Sequence, residues 1–291
     1  MKFSSLDITA LKSKLVSSGM ATYEDALFNP SFIEEQSGTL VVSLRKVSAT
    51  KEQTRSQLIF RVFDIGTEGV HVEKIREVVE LGKHKVRDMK LFKNYDTEEI
   101  FATFNTGHEL RGNQILIAKL SDLDNPYILK FGARRRIEKN WGFFWQGEDL
   151  FALYSVFPLT ILRQIKNENE FQTIPMEIAK SFSHKRYLRR LISIGSQPIK
   201  IGSELMLTIH LKPKILFWRA YIPLIAKINT NTGEVTVIKI TFGTHVLSFQ
   251  PSSLNPRALF VNYASGLVVL KDRLILGLGH KDKTFSISVE I

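Results

Sequence analysis

The chain of 291 residues contains no cysteine, which excludes disulfide bonds, thiolate metal sites and cysteine nucleophiles. It has no apolar run long enough to span a bilayer, and its first twenty residues lack the hydrophobic core of a secretory signal. The sequence therefore favours a cytoplasmic protein. The seven histidines show no HExxH spacing, and neither a Walker loop nor a GxGxxG motif occurs. No cofactor is predicted.

The chain has fewer acidic than basic residues: 29 aspartates and glutamates against 40 lysines and arginines, which gives a net charge of +11. Such an excess attracts polyanions. The densest clusters, residues 134–136 and 185–190, lack the interleaved aromatics of a single-strand-binding groove, which disfavours nucleic acid as a partner. A solvated basic face is the simplest interpretation. The predicted partners are a glycan, a nucleotide sugar or a sugar phosphate, or an anionic glycan or membrane surface.

Five segments of the chain resemble one another, each with a small polar turn followed by alternating apolar and polar residues. Alternation with a period of two is typical of strands that bury one face. A second run of this kind follows each segment, which predicts a hairpin. The segments are SGTLVVSLR, TEEIFATFN, GEDLFALYS, GSELMLTIH and KDRLILGLG. Their first strand residues, 50 to 69 positions apart, are Leu40, Ile100, Leu150, Leu205 and Leu274.

Repeats of about 50 residues that hold several short strands are typical of propeller blades. The sequence therefore predicts an all-β, five-bladed β-propeller that occupies residues 1–291 as a single domain. A pair of β-sandwiches is the alternative, but it leaves the five similar units unexplained. Helical periodicity is limited to the first twenty residues and the stretch from Met176 to Leu191. The expected blades are residues 25–85, 86–135, 136–190, 191–255 and 256–291.

A short polar motif lies roughly ten residues ahead of each hairpin. Since the first strand of a propeller blade lines the central channel, this spacing predicts five polar motifs around one funnel. Crowded turns of inner strands also favour small residues, which explains Gly195 and Gly266. The charges of Asp88, Lys90 and Lys139 need a partner or a ligand. The motifs are Asn29-Pro30-Ser31, Arg87-Asp88-Met89-Lys90, Glu138-Lys139-Asn140-Trp141, Gly195-Ser196-Gln197-Pro198 and Ala264-Ser265-Gly266.

Asp88 is the candidate catalytic residue. Making or breaking a glycosidic bond requires a proton donor at the leaving oxygen and a means of delivering the nucleophile. Asp282 is the other candidate carboxyl group, because the fifth blade would return it to the same funnel. Two carboxyl groups suit hydrolysis by water. One carboxyl group together with cations suits phosphorolysis or transfer from a phosphorylated donor.

Cations and aromatic side chains recur at equivalent places in different blades. Taken singly, an exposed arginine commonly pairs on the surface, a histidine is more often structural, and a tyrosine is more often packed. Their recurrence favours a shared site. The candidates are Arg45, Lys90, Lys139, His210 and Tyr221. An aromatic run could stack on sugar rings, although packing between blades is the more common role of such residues. It comprises Trp141, Phe143, Phe144 and Trp145.

In their order along the chain, these motifs resemble the β-1,2-mannoside phosphorylases and hydrolases. They also resemble the related β-1,2-mannosyltransferases and propeller proteins of bacterial surface-glycan gene clusters. The resemblance covers nearly the whole chain, and its specificity comes from the order of short elements. That order is Asn-Pro-Ser, a strand ending in Arg, Asp-x-Arg/Lys, Lys-Asn-Trp, a strand ending in His, then Tyr, then a late Gly-x-x-Asp.

The resemblance implies a five-bladed propeller whose acid is the aspartate of a Glu-Asp-Pro-Arg motif, the position of Asp88. The family's acid acts through a sugar hydroxyl rather than directly on the bridging oxygen. The resemblance also implies substrate-binding roles for residues in the other motifs. Asn29 and Arg45 match positions near the sugar. The positions toward the anion or acceptor are Lys139, Asn140 and His210, and the later funnel residues are Tyr221 and Asp282. The other candidate substrate-binding residues are Ser31, Lys90 and Trp141.

The chain departs from this family at the acid motif, where Arg87-Asp88-Met89-Lys90 replaces Glu-Asp-Pro-Arg. Lysine cannot make the bidentate contact of arginine with an oxyanion, so the change disfavours phosphorolysis. The charge of Arg87 would favour the carboxylate form of Asp88, which is the poorer acid. In the fourth repeat, Tyr221-Ile222-Pro223 stands where relatives often have Tyr-x-His.

Together, these features predict a carbohydrate-active enzyme, a glycosyltransferase or a glycoside phosphorylase or hydrolase. The preferred hypothesis is mannosyl transfer in bacterial surface-polysaccharide synthesis, with Asp88 as acid/base. The alternative is a non-catalytic glycan-binding or scaffold propeller, which the altered acid motif favours. Nucleic-acid binding ranks last because no recognition motif is present. A furanosidase of another five-bladed family would show a clearer carboxylate triad.

Overall fold

The computed structural model describes most of the chain. The described ranges are 1–36, 38–49, 54–107, 112–138, 140–165, 173–182, 191–215, 218–242, 258–280 and 283–290. For residues 214, 215, 218–220, 242 and 258–262, the description is limited to the backbone. Within these ranges the chain forms 25 strands and one helix, α1 (Thr9–Ser17). No helix in the described part of the chain has the length and apolarity needed to cross a membrane.

The first three groups of strands are antiparallel meanders, each pairing four strands in chain order. Meander 1 contains β2 (Ala26–Gln36), β3 (Thr39–Val47), β4 (Arg55–Phe63) and β5 (His71–Val78), and a small hairpin follows, β6 (Glu80–Leu81) with β7 (His84–Lys85). Meander 2 contains β8 (Arg87–Lys93), β9 (Ile100–Asn105), β10 (Ile115–Lys119) and β11 (Asp122–Lys130). Meander 3 contains β12 (Gly142–Gln146), β13 (Asp149–Val156), β14 (Leu159–Gln164) and β15 (Thr173–Phe182). The outermost strands of meanders 2 and 3, β11 and β15, also pair in parallel.

The last two groups involve both ends of the described chain. Meander 4 contains two short strands, β16 (Ile192–Ile194) and β17 (Ile199–Ile201), which both pair with β18 (Glu204–Leu211), and then β20 (Trp218–Asn229) and β21 (Val235–Lys239). Short strand β19 (Lys214–Ile215) pairs with β20. Meander 5 contains β23 (Ala258–Leu270), β24 (Arg273–His280), β25 (Thr284–Glu290) and β1 (Lys2–Ser5), with β22 (Thr241–Phe242) beside β1. An N-terminal strand therefore completes the last meander.

The five similar sequence segments form the second strand of each meander: β3, β9, β13, β18 and β24. The alternation predicts one buried face, but these strands are largely buried on both faces. All six residues of β9 are buried, including the polar Thr103 and Asn105. Each second strand lies between two hydrogen-bonded neighbours, and its meander packs against another meander on either side.

Apolar side chains fill the spaces between successive meanders. One cluster joins meanders 1 and 2 and contains Val41 and Leu91, and others join 2 to 3, 3 to 4 and 4 to 5. A further cluster joins meander 5 to meander 1 and receives Leu11 and Leu15 of helix α1. Among the described residues, the meanders and clusters thus alternate in a closed ring. Burial of this apolar surface is the main force that holds the ring together.

The stretch from Met176 to Leu191, where the sequence indicates helical periodicity, contains strand β15 up to Phe182. Residues 183–190 lie outside the described part of the chain. The interpretation as a helix is wrong for the described portion because β15 is an outer strand, paired to β14 on one side and to β11 on the other. Its burial does not alternate, and Ile178 is more than half exposed, so no period of two appears in the sequence. The helical pattern of the first twenty residues does correspond to α1.

Gly195, which follows β16, lies in crowded surroundings, as the sequence predicts. A Cβ atom at this position would lie 2.6 Å from Cε1 of His210 and would also collide with the Ala264 carbonyl oxygen and the Thr208 hydroxyl. We expect Gly195→Ala to lower the free energy of unfolding by about 2 kcal/mol, measured by urea denaturation. Gly132→Ala is the control, since a Cβ there meets no atom within 4 Å. Equal stability of the two variants would contradict this account.

Candidate functional site

A polar cavity of about 450 Å³ lies where residues from all five meanders meet. Its charged lining residues are Arg45, Asp88, Arg135, Glu138 and Lys212. Asn29 and Asn140 supply amides, and Trp141, Tyr154, Tyr221 and Tyr263 supply aromatic rings. The volume lies in the range of small-molecule sites. The cavity therefore combines a few ionic groups with hydrogen-bonding side chains and rings, a lining suited to a polar ligand.

Three lining residues share an uncommon backbone conformation. Asn29, Asp88 and Asn140 have φ values of 54°, 52° and 64°, in the left-handed region. Asparagine and aspartate tolerate this region better than other side-chain-bearing residues. Asn29 and Asp88 both lie at irregularities in the pairing of a first strand with its neighbour, between Phe28 and Ser31 and between Arg87 and Lys90. Such bulges redirect side chains, and here each presents a polar group to the cavity.

At least two donors hold Asp88 at the cavity wall. Nη1 of Arg45 lies 3.0 Å from Oδ1 of Asp88, and Nδ2 of Asn105 lies 3.3 Å from Oδ2. Arg45 comes from the neighbouring meander, and its guanidinium lies over the ring of Phe28 at 5.4 Å. The ion pair is mostly buried, with each side chain 17% exposed. The predicted acid and the predicted sugar-binding arginine are therefore direct partners in the structure.

Lys90 lies behind the cavity rather than in its lining. Its side chain is 3% exposed, and its Nζ makes no hydrogen bond within the described structure. It borders a gap of about 10 Å³ that Asp88, Asn105 and Gln197 also line. Burial lowers the pKa of Lys90 to about 7, against a smaller opposing effect of Asp88. A buried amine without a partner strongly favours its neutral form.

His210, also among the predicted binding residues, is fully buried beneath two tyrosines. Its ring stacks on Tyr263 at 3.9 Å between centroids and meets Tyr221 edge-on at 6.3 Å. Burial, and then the nearby charge of Lys90, hold the pKa of His210 well below its ordinary value. Tyr221 and Tyr263 line the cavity, whereas His210 does not. Asn140 donates from Nδ2 to the Tyr263 hydroxyl at 2.6 Å.

Glu138 is a second carboxylate in the cavity, within the third polar motif but not among the sequence-predicted site residues. It accepts hydrogen bonds from the Arg135 backbone at 2.8 Å and from Trp141 Nε1 at 3.2 Å. The Tyr154 hydroxyl also donates to Glu138, and Arg134 Nε lies 3.7 Å away. This set of donors fixes both carboxylate oxygens at the cavity wall.

The remaining predicted residues fall into two groups. Ser31 lies outside the polar cavity, where it is buried and its hydroxyl accepts a hydrogen bond from the Leu91 backbone at 2.9 Å. Lys139 and Asp282 lie outside the described residues. Of the aromatic run, Trp141 contacts the cavity, whereas Phe143 and Phe144 are buried in clusters between meanders. Asn29, Arg45, Asp88, Asn140, Trp141 and Tyr221 therefore converge on one cavity.

The sequence reasoning missed five lining residues that complete the site. Glu138 belongs to a recognised motif, and Tyr263 immediately precedes another, so position relative to the motifs could have indicated both. Arg135, Tyr154 and Lys212 carry no such signal. They reach the cavity from the segment before β12, from β13 and from just after β18. Among the described residues, no cluster of three histidine, aspartate or glutamate side chains could hold a metal ion.

Solved structures of carbohydrate-active enzymes share the fold of this chain. A Bacteroides ovatus protein assigned to the glycoside hydrolases is 14% identical, with a TM-score of 0.63 over 91% of this chain and 86% of that one. The β-1,2-mannobiose phosphorylase of Listeria innocua, solved with β-1,2-mannobiose, is 12% identical, with a TM-score of 0.57 over 92% and 91%. A mannose phosphorylase from Leishmania mexicana, solved with phosphate ion, is 11% identical, with a TM-score of 0.57 over 96% and 92%. No protein-family model and no curated protein sequence matches the chain.

Proposed function

We propose that the five meanders are the blades of a single-domain, five-bladed β-propeller. Three observations support this architecture: the closed ring of meanders and apolar clusters, the completion of the last meander by β1, and the similarity to the solved structures above. Radial repetition of such sheets leaves only short, protected edges. The first strands then surround one axis, at whose end the polar cavity lies.

We propose that this propeller is a carbohydrate-active enzyme that makes or breaks a glycosidic bond, with Asp88 as its acid/base. The observation that carries the proposal is the position of Asp88 at the cavity wall, in a left-handed conformation and paired with Arg45. The strained backbone holds the carboxyl group in place, and such conformations cluster at functional sites. The aromatic and amide groups of the lining suit the apolar faces and the hydroxyl groups of a sugar.

The proposed reaction breaks the bond between the anomeric carbon and the leaving oxygen. Asp88 in its acid form gives a proton to that oxygen, directly or through a sugar hydroxyl. Phosphate attacks the anomeric carbon as an anion; water or an acceptor hydroxyl that attacks instead releases its proton to the solvent. In the direction of synthesis, Asp88 accepts the proton of the acceptor hydroxyl. Arg45 stabilises the carboxylate form of Asp88, which is the form that accepts a proton in the direction of synthesis.

Mannosyl transfer in bacterial surface-polysaccharide synthesis is the finer hypothesis, in which a nucleotide sugar or sugar phosphate is the donor. It is supported by the mannoside activity of two structural neighbours and by the net positive charge of the chain. A non-catalytic glycan-binding propeller is the second candidate. The position of Lys90 favours it, because this residue occupies the place of the family arginine and is buried behind the cavity.

A thermal-shift screen tests whether the cavity binds sugars. Ligands that bind the native state raise the melting temperature by mass action. We expect a shift with a sugar, a sugar phosphate or a nucleotide sugar, and a loss of that shift in Arg45→Ala. Arg76→Ala is the matched control, because Arg76 forms an exposed ion pair with Asp124 away from the cavity. A screen with no shift for any sugar, including oligosaccharides of mannose, would refute the proposed function.

A further inference from the structure

Lys90 and Asp88 border the same small gap behind the cavity wall. The gap, of about 10 Å³, is close to the space that one water molecule needs. The irregular pairing of β8 with β9 between Arg87 and Lys90 directs Asp88 toward the cavity, while Lys90 lies behind it. Among the described residues that line the gap, Lys90 and Asp88 are the two with ionisable side chains.

The amides of Asn105 and Gln197, which also line the gap, have partners of their own. Each amide is hydrogen-bonded at both its nitrogen and its oxygen to main-chain groups. The Lys90 amine is buried and has no hydrogen-bond partner in the described structure. The group of the gap whose charge acts on this amine is therefore Asp88.

The other charged or titratable groups near this pair keep one state around neutral pH. Arg45 of β3 pairs with Asp88, and Arg87 precedes it in the sequence; guanidinium groups stay charged. His210 of β18 senses the charge of Lys90, and burial holds the pKa of His210 well below its ordinary value, so its ring stays neutral. Burial lowers the pKa of Lys90 to about 7. Within the described residues, Lys90 is thus the neighbour of Asp88 whose charge changes near neutral pH.

We propose that Lys90 sets the strength of Asp88 as a base. When the amine carries a proton, its charge stabilises the Asp88 carboxylate, which then accepts a proton less readily. When the amine is neutral, this stabilisation is lost and the carboxylate is a stronger base. An arginine at this position, as in the acid motif of the family that the chain resembles, would keep its charge. The lysine therefore makes the basicity of Asp88 depend on pH.

The inference rests on the proposed function, in which Asp88 accepts the proton of the acceptor hydroxyl in the direction of synthesis. Lys90 is a positioning residue in this scheme, because it acts through Asp88 and lies outside the lining of the polar cavity. Transfer should accelerate as the pH rises through about 7, since Lys90 then loses its charge. The replacement of the family arginine by lysine thus has a chemical consequence for the reaction.

Carbon-13 NMR of the Asp88 carboxyl group tests the coupling without any ligand. The protein is labelled on aspartate, and the resonance is assigned by its loss in Asp88→Asn. In the wild type we expect this resonance to shift with an inflection near pH 7, where Lys90 changes its charge. Lys90→Met is always neutral and Lys90→Arg always charged, so both should lack the inflection. The proton affinity of the carboxylate should be about tenfold higher in Lys90→Met than in Lys90→Arg, since a nearby cation changes the ionisation of a carboxyl group by at least this factor.

Lys93→Met is the matched control. It removes a buried amine from the same strand, where Nζ bonds to the Glu34 and Glu35 carbonyls and lies outside the lining of the gap. The inflection of Asp88 near pH 7 should be the same in this variant as in the wild type. An inflection that persists in Lys90→Met would overturn the inference, and so would a wild-type resonance that does not shift near pH 7. If Lys90→Arg does not fold, Lys90→Met alone decides between these outcomes.

Turnover separates this inference from the proposed function. With GDP-mannose or mannose 1-phosphate as donor and β-1,2-mannobiose as acceptor, kcat should rise several-fold through neutral pH in the wild type and not in Lys90→Met. If turnover occurs but its pH profile and the inflection of Asp88 are unchanged in Lys90→Met, the inference is wrong and the proposed function survives. If the inflection depends on Lys90 but the protein neither transfers from these donors nor cleaves β-1,2-mannobiose, the charge coupling stands and the proposed function has failed.

Discussion

Asp88→Asn is expected to lower turnover of a glycan substrate by about 10³-fold, because general acid–base catalysis typically contributes 10² to 10⁴. An amide cannot donate a proton to a leaving oxygen or accept one from an acceptor hydroxyl. The substitution preserves shape, and asparagine tolerates the left-handed φ of 52° as well as aspartate does. The loss should therefore fall on the chemical step. The measurement is the kcat of the purified variant, with its melting temperature as a check on folding.

Asp64→Asn is the matched control for this experiment. Asp64 has the same φ of 52°, but it lies exposed in the turn between β4 and β5, outside the cavity. The same change from aspartate to asparagine, in the same backbone conformation but outside the cavity, should leave turnover unchanged. Full activity of Asp88→Asn would show that Asp88 takes no part in the reaction. If the wild-type protein shows no turnover, and the wild type and the folded variant both bind sugar, the non-catalytic alternative is supported.

Lys90→Met is expected to stabilise the protein at neutral and acidic pH by an amount on the order of 5 kcal/mol. The pKa of Lys90 falls to about 7 in the folded protein, from an ordinary value of 10.5. Between these pH values the unfolded chain binds more protons than the folded one, so the contribution of Lys90 to stability increases as the pH rises. Below pH 7 the whole penalty of burying the charge is present; above 10.5 it vanishes.

The effect of Lys90→Met should therefore be largest below pH 7 and should shrink steadily toward pH 10.5. Urea denaturation of the variant and the wild type across this range measures it as a difference, in which titrating groups that do not interact with Lys90 cancel. Methionine is unbranched and close to lysine in length, so it fills the same space without a charge. A difference that does not change with pH would mean that Lys90 titrates as an ordinary lysine.

Lys93→Met provides a control with the opposite sign on the same strand, β8. Lys93 is also buried, but its Nζ bonds to the Glu34 and Glu35 carbonyls at 3.3 and 3.2 Å and pairs with Glu98. Removal of this amine leaves half-buried carbonyl acceptors without this donor, so this variant should be destabilised. Lys90 and Lys93 thus differ in their contribution to stability, because the amine of Lys93 has hydrogen-bond partners in the described structure and that of Lys90 has none.

The site could be predicted from the sequence where its residues lie in recognisable motifs. Asn29, Asp88 and Asn140 each belong to a polar motif ahead of a repeated hairpin, and all three line the cavity. Ser31 and Lys90 belong to the same motifs but lie away from the cavity or behind it. Irregular pairing around Asn29 and Asp88 decides which side chain faces which way, and local spacing carries no trace of such a bulge.

What the sequence by itself determined is the class of secondary structure and its repetition. Alternating residues define strands locally, and five similar segments recur because each is the second strand of a meander. Only the tertiary structure decided that these strands are buried on both faces, that β15 is a strand, and that Glu138 and Tyr263 complete the site. Burial and side-chain direction depend on neighbours contributed by distant meanders, and a periodicity read along one segment contains no information about those neighbours.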